Sequence, residues 1–106
     1  MNELHFSKNS DLLIACGKGG SNGYEIYYTS NWTKKHSDYT YAKDGESCRF
    51  ANDGHYAVGD KGGSTFLYDS SNNLVWVNQY WTDPEVLALD FSPDSTHLLV
   101  SYCNHH

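Results

Sequence analysis

The chain has 106 residues, enough for one modest domain. Thirteen acidic against seven basic residues leave a net charge of −6, which argues against nucleic acid and anionic membrane as partners. No apolar run approaches membrane-spanning length, and the opening MNELHFSKNS has neither the basic start nor the apolar core of a signal peptide.

In chain order, residues 3–7 read as a first strand and residues 12–16 as a second, ending at Cys16. A glycine-rich loop from Gly17 to Gly23 leads to a third strand over Tyr24 to Thr29. Ser30 to His36 reads as a polar turn, and a fourth strand is expected around Ser37 to Tyr41. Lys43-Asp44-Gly45 turns the chain into a second set. Its first strand ends at Arg49-Phe50, and Asn52-Asp53-Gly54 forms a tight turn. Tyr56 to Gly59 follows, then Lys61-Gly62-Gly63, then Ser64 to Tyr68. Asp69 to Asn73 is a polar turn before Leu74-Val75-Trp76-Val77, and that strand is expected to run on through Asn78 to Trp81. Thr82-Asp83-Pro84-Glu85 connects to Val86 through Phe91, and Leu98-Leu99-Val100 opens a last strand. No apolar spacing of helical period survives more than one turn, so the fold class is all-β.

The strands repeat. Phe6, Phe50 and Phe91 each precede a polar turn and a short apolar run, at spacings of 44 and 41 residues. Lys18-Gly19-Gly20-Ser21 recurs as Lys61-Gly62-Gly63-Ser64, a shift of 43. A period in the low forties with four strands per unit fits the blade of a β-propeller. Leu89-Asp90-Phe91-Ser92-Pro93-Asp94 is similar to the innermost-strand signature of WD40-like propeller repeats, and Leu67-Tyr68-Asp69 resembles their Trp-Asp position. Gly62 stands where the strict family carries a buried Asp, and no Gly-His dipeptide precedes any unit. The resemblance implies a single partial propeller of four-stranded antiparallel blades. Blade 1 covers about 3–45, blade 2 about 46–85, and a half blade 86–106. The alternative is a compact sandwich or barrel of about ten short strands.

Few residues suggest chemistry. Gly17-Lys18-Gly19-Gly20-Ser21 lacks the spacing of a phosphate-binding loop and leads into no helix, so it reads as a hairpin turn. Cys16, Cys48 and Cys103 show no CxxC spacing and read as small buried thiols in a cytosolic protein; one disulfide fits only a secreted parent. Asn31-Trp32-Thr33 matches a glycosylation sequon in a turn, which leaves an extracellular setting open. His55 and His97 hold the same place before a second strand and read as structural. Cys103, His105 and His106 offer metal-ligand chemistry only at a chain end. No catalytic set can be assembled from spacing, and no cofactor or metal is expected.

Aromatic residues are the compositional excess, with nine Tyr, three Trp and four Phe. Tyr27, Tyr28, Phe66 and Tyr68 are expected to pack between neighbouring sheets. Trp32, Trp76, Tyr80 and Trp81 are the candidates for partner contact. The expected function is a non-catalytic protein-interaction scaffold, a propeller segment of a larger protein or assembly. A self-assembling module that completes a ring or filament is one alternative, and a carbohydrate-binding module is another. The expected partners are other protein chains, copies of this one included.

Overall fold

The computed structural model describes residues 3–17, 23–38, 45–60, 62–78 and 85–103. It is all-β, with no helix among those residues. Sheet 1 is β1 (Glu3–Phe6), β2 (Leu12–Gly17), β3 (Gly23–Tyr28) and β4 (Lys34–Asp38). Sheet 2 is β5 (Gly45–Phe50), β6 (Tyr56–Asp60), β7 (Thr65–Tyr68) and β8 (Leu74–Asn78). Sheet 3 holds β9 (Glu85–Phe91) and β10 (Leu98–Cys103). Each sheet is an antiparallel meander with strands in sequence order. The sheets stack face to face as an open, sandwich-like arrangement. The ten-stranded barrel is therefore not what forms, because among the described residues no strand pairing joins one sheet to the next.

Two strand expectations shift. The fourth strand begins at Lys34, not Ser37, because Thr33 closes the preceding turn by offering its carbonyl to the Tyr28 amide. The last strand extends beyond Val100 to Cys103 through a bulge between Ser101 and Tyr102. The continuation of β8 through Gln79, Tyr80 and Trp81 lies outside the described residues.

The repeated phenylalanines mark equivalent turns. Ser10 donates to Ser7, Gly54 to Ala51 and Ser95 to Ser92, and each donor sits in the left-handed region with φ of 61°, 97° and 64°. The register repeats as well. Phe6 pairs Leu13, Phe50 pairs Tyr56 and Phe91 pairs Leu98. One residue earlier, His5 pairs Ile14, Arg49 pairs Ala57 and Asp90 pairs Leu99.

Sheet 2 is the middle layer, and all five residues of β6 are buried. Because successive side chains point to opposite faces, Tyr56 and Val58 face sheet 1 while Ala57 and Gly59 face sheet 3. The first junction joins Ile14, Cys16, Tyr24 and Ile26 of sheet 1 to Cys48, Phe50, Tyr56, Val58, Phe66 and Tyr68 of sheet 2. The second is smaller and centres on Ala57, Val86 and Leu89, with Leu67, Phe91, Leu98 and Val100 around them.

Gly59 permits that second junction. A Cβ placed there would lie 2.2 Å from a methyl of fully buried Val86. Gly59→Ala is expected to destabilise the fold by about 1–3 kcal/mol through overpacking. Adding Val86→Ala removes the two methyls and should recover part of the loss. Denaturant midpoints of the two single variants and the double variant check this, and additive losses would show that the two sites are not in contact.

Candidate interaction surfaces

At the first junction, side chains of β1 cap the exposed backbone edge of β5. Glu3 Oε1 accepts from the Ser47 hydroxyl at 3.2 Å and from the Cys48 amide at 3.3 Å. His5 Nδ1 accepts from the Phe50 amide at 3.1 Å. These amides point away from β6, because the alternate residues Arg49 and Ala51 occupy the ladder positions. The free edge of β5 is thus satisfied across the junction by side chains of β1. The Arg49 guanidinium lies 3.6 Å from the Asp90 carboxylate at the equivalent place in the second junction. His5, Arg49 and Asp90 form a row along the stack, one residue from each sheet.

An imidazole that accepts at Nδ1 is neutral and carries its proton on Nε2. Burial, then the Arg49 charge, lowers the His5 pKa, while Asp90 opposes the shift. In the unfolded chain the same imidazole takes up a proton more readily. Its contribution to stability is therefore complete above its ordinary pKa of 6.5 and declines as pH falls below that value. Urea unfolding between pH 7.5 and about 5 should show lower stability on the acid side. His5→Gln should flatten that slope, and a steeper slope in the variant would contradict the assignment.

The centre of the first junction is a tyrosine cluster. Tyr56 and Tyr68 stack at 4.9 Å between centroids, and Tyr24 meets Tyr56 edge-on and tilts against Tyr68. Their hydroxyls are ordered by donor count. Tyr56 donates to Asn72 Oδ1 at 2.9 Å, so it must accept from Tyr24 at 2.8 Å. Tyr24 in turn accepts from His36 Nε2 at 3.2 Å. Burial pushes the Tyr56 pKa up to about 12 and raises that of Tyr24 further, so both remain protonated donors near neutral pH. Tyr56→Phe leaves Tyr24 without its acceptor and Asn72 without its donor. A loss of about 1–3 kcal/mol is expected by thermal or denaturant unfolding.

Beside this cluster lies a cavity of about 280 Å³ between the β1–β2 and β5–β6 turns. Lys8, Asp11, Lys35, Asp53, Tyr56 and Asn72 line it with mixed charge. Asp11 accepts from the Ser7 hydroxyl, and Asp53 accepts from His55, so their carboxylates serve the turns. His97 likewise sits in its turn, donating its amide to Ser92 Oγ.

The sequence candidates fall in different places. Trp32 is exposed in the β3–β4 turn with φ of 58°, and Asn31 beside it accepts from the Thr33 amide and hydroxyl. Trp76 is exposed on β8, opposite Leu67, on the part of the sheet 2 face that two-stranded sheet 3 does not reach. The two tryptophans therefore lie on separate elements and form no common site. Tyr80, Trp81, His105, His106 and the loop residues Lys18 to Ser21 lie outside the described residues. Of the aromatics expected between sheets, Phe66 and Tyr68 are buried, Tyr27 is half-buried and Tyr28 is exposed. Tyr28 is the last residue of β3, where the chain leaves the junction for its turn. Cys16 and Cys48 are free buried thiols, both directed at the Glu3 carbonyl at 4.0 and 3.6 Å. Burial raises the Cys48 pKa, so its reactive thiolate is suppressed. No metal-ligating cluster occurs among the described residues. The buried carboxylate of the β6–β7 turn is Asp60, which accepts from the Ser64 amide; Gly62 lies two residues further on.

Sequence reading missed the two end faces of the stack. Leu4 and Phe6 are 54% and 51% exposed on the outer face of sheet 1, although Phe50, at the same register as Phe6, is 6% exposed inside. Leu99 is 73% exposed on the outer face of sheet 3, whereas its register equivalents Ile14 and Ala57 are fully buried. The repeat itself carried the signal: positions that pack internally must also occur on the first and last sheets. No protein-family model matches the chain, and no curated protein matches it.

Proposed function

We propose that the chain is a non-catalytic interaction scaffold, a segment of stacked propeller-type blades whose two end faces dock further protein. The observation that carries this reading is the exposure of Leu4, Phe6 and Leu99 at register positions that are buried within the stack. Exposed apolar side chains gathered on a sheet face favour coverage by another protein surface. The short repeat period and the meander order of each sheet support the propeller-type reading, and an uncapped stack of repeats favours further layers.

The test combines light scattering after size exclusion with binding of an apolar fluorescent dye. The native chain is expected either to exceed monomer mass or to bind dye. The triple variant Leu4→Lys, Phe6→Lys, Leu99→Lys should be a dye-free monomer with unchanged far-UV circular dichroism. A native chain that is already a folded, dye-free monomer would falsify the docking-face reading.

A further inference from the structure

We propose that the occupant of each end face is a second copy of this chain, stacked head to tail, with sheet 3 of one copy seated on sheet 1 of the next. This deepens the docking-face reading and rests on it.

Three observations select a copy of this chain. The first is the shape of the apolar area. On the outer face of sheet 1 the apolar side chains Leu4, Phe6 and Leu13 come from β1 and β2. On the same face β3 carries Glu25, which pairs with Lys34 of β4 at 2.7 Å and accepts from the Tyr27 hydroxyl. Only the inner two strands thus offer a surface to be covered, while the outer two carry a half-exposed ion pair suited to water. Among the described residues sheet 3 has two strands. A two-stranded sheet covers the β1–β2 half of sheet 1 and leaves the ion pair solvated.

The second observation is register. Leu99 occupies the position of Ile14 and Ala57, which are the residues that enter the internal junctions. Repeating the internal stacking once more sets Leu99 of one copy against Leu4 and Phe6 of the next.

The third is charge and hydrogen bonding along the row. Within the chain, His5 accepts the Phe50 amide, and Arg49 meets Asp90. Asp90 is the last member of the row, and its side chain is 71% exposed. The next position in a continued row is His5 of the following copy, which carries its proton on Nε2 because Nδ1 accepts from Phe50. A carboxylate there accepts that Nε2–H. It also reaches the Phe6 amide, which points away from β2 because Ser7 bonds Leu12 in the ladder. The row then repeats as neutral imidazole, guanidinium and carboxylate, and each carboxylate lies between an Arg49 and the next His5. A heterologous contact of this kind closes as a ring or extends as a filament.

The test uses two half-blocked chains. Phe6→Lys closes the sheet 1 face and leaves sheet 3 open. Leu99→Lys closes the sheet 3 face and leaves sheet 1 open. Each alone should be a monomer by sedimentation, and an equimolar mixture should give a 1:1 dimer at twice the monomer mass. Adding Asp90→Lys to the Phe6→Lys chain should abolish that dimer while circular dichroism stays unchanged. Dimerisation of either variant alone would overturn the head-to-tail arrangement in favour of a face packing on its own twin. A mixture that stays monomeric while both chains remain folded and dye-binding would overturn the second copy as occupant, yet leave the docking faces intact. Loss of dye binding in the native monomer would instead remove the underlying reading.

Discussion

Everything in this fold follows from the double burial of sheet 2. A four-stranded meander that is apolar on both faces cannot be stable alone in water; it needs a layer on each side. Sheet 1 supplies one layer through the tyrosine cluster, and sheet 3 supplies the other through Val86 and Leu89. The two faces are satisfied differently. The sheet 1 side is filled by large rings with ordered hydroxyls, and the sheet 3 side by close approach over Gly59. A ring-filled junction fixes relative orientation through buried hydroxyls, whereas the close approach fixes it by shape, with polar contacts only at its margin: Arg49 to Asp90, Asn52 to the Pro93 carbonyl and the Asp53 amide to Ser95.

The edge strands β1 and β5 raise a second requirement. An edge strand presents unpaired amides, and such edges invite association. Here β1 satisfies the edge of β5 with Glu3 and His5, side chains that lie one sheet away in the stack. Stacking and edge protection are therefore one interaction. A layer removed from the stack uncovers both an apolar face and a row of donors.

The carboxylates of the surface turns are largely engaged by their own turns. Asp94 takes the Ser92 and Thr96 hydroxyls and is held well below the usual carboxylate range by them. Asp69 serves Ser71 and Asn73 in the same way. Carboxylates engaged by their own turns fix backbone geometry and leave little capacity for proton transfer.

The sequence by itself determined the all-β class, the strand order and most strand positions, because turn residues and period-two patterning are local properties. Gly54 and the equivalent Ser10 and Ser95 mark their turns without reference to distant residues. The repeat at Phe6, Phe50 and Phe91 likewise shows in the letters and reappears as a common register. Tertiary structure alone decided which face of each strand is covered. Phe6 and Phe50 read alike in sequence, yet one is half exposed and the other buried, because among the described residues sheet 1 covers that side of sheet 2 and nothing covers that side of sheet 1. The tyrosine relay, the Gly59–Val86 contact and the His5–Arg49–Asp90 row join residues dozens of positions apart. Their existence depends on how the sheets stack, and stacking is set by the joint burial of whole faces rather than by any local propensity.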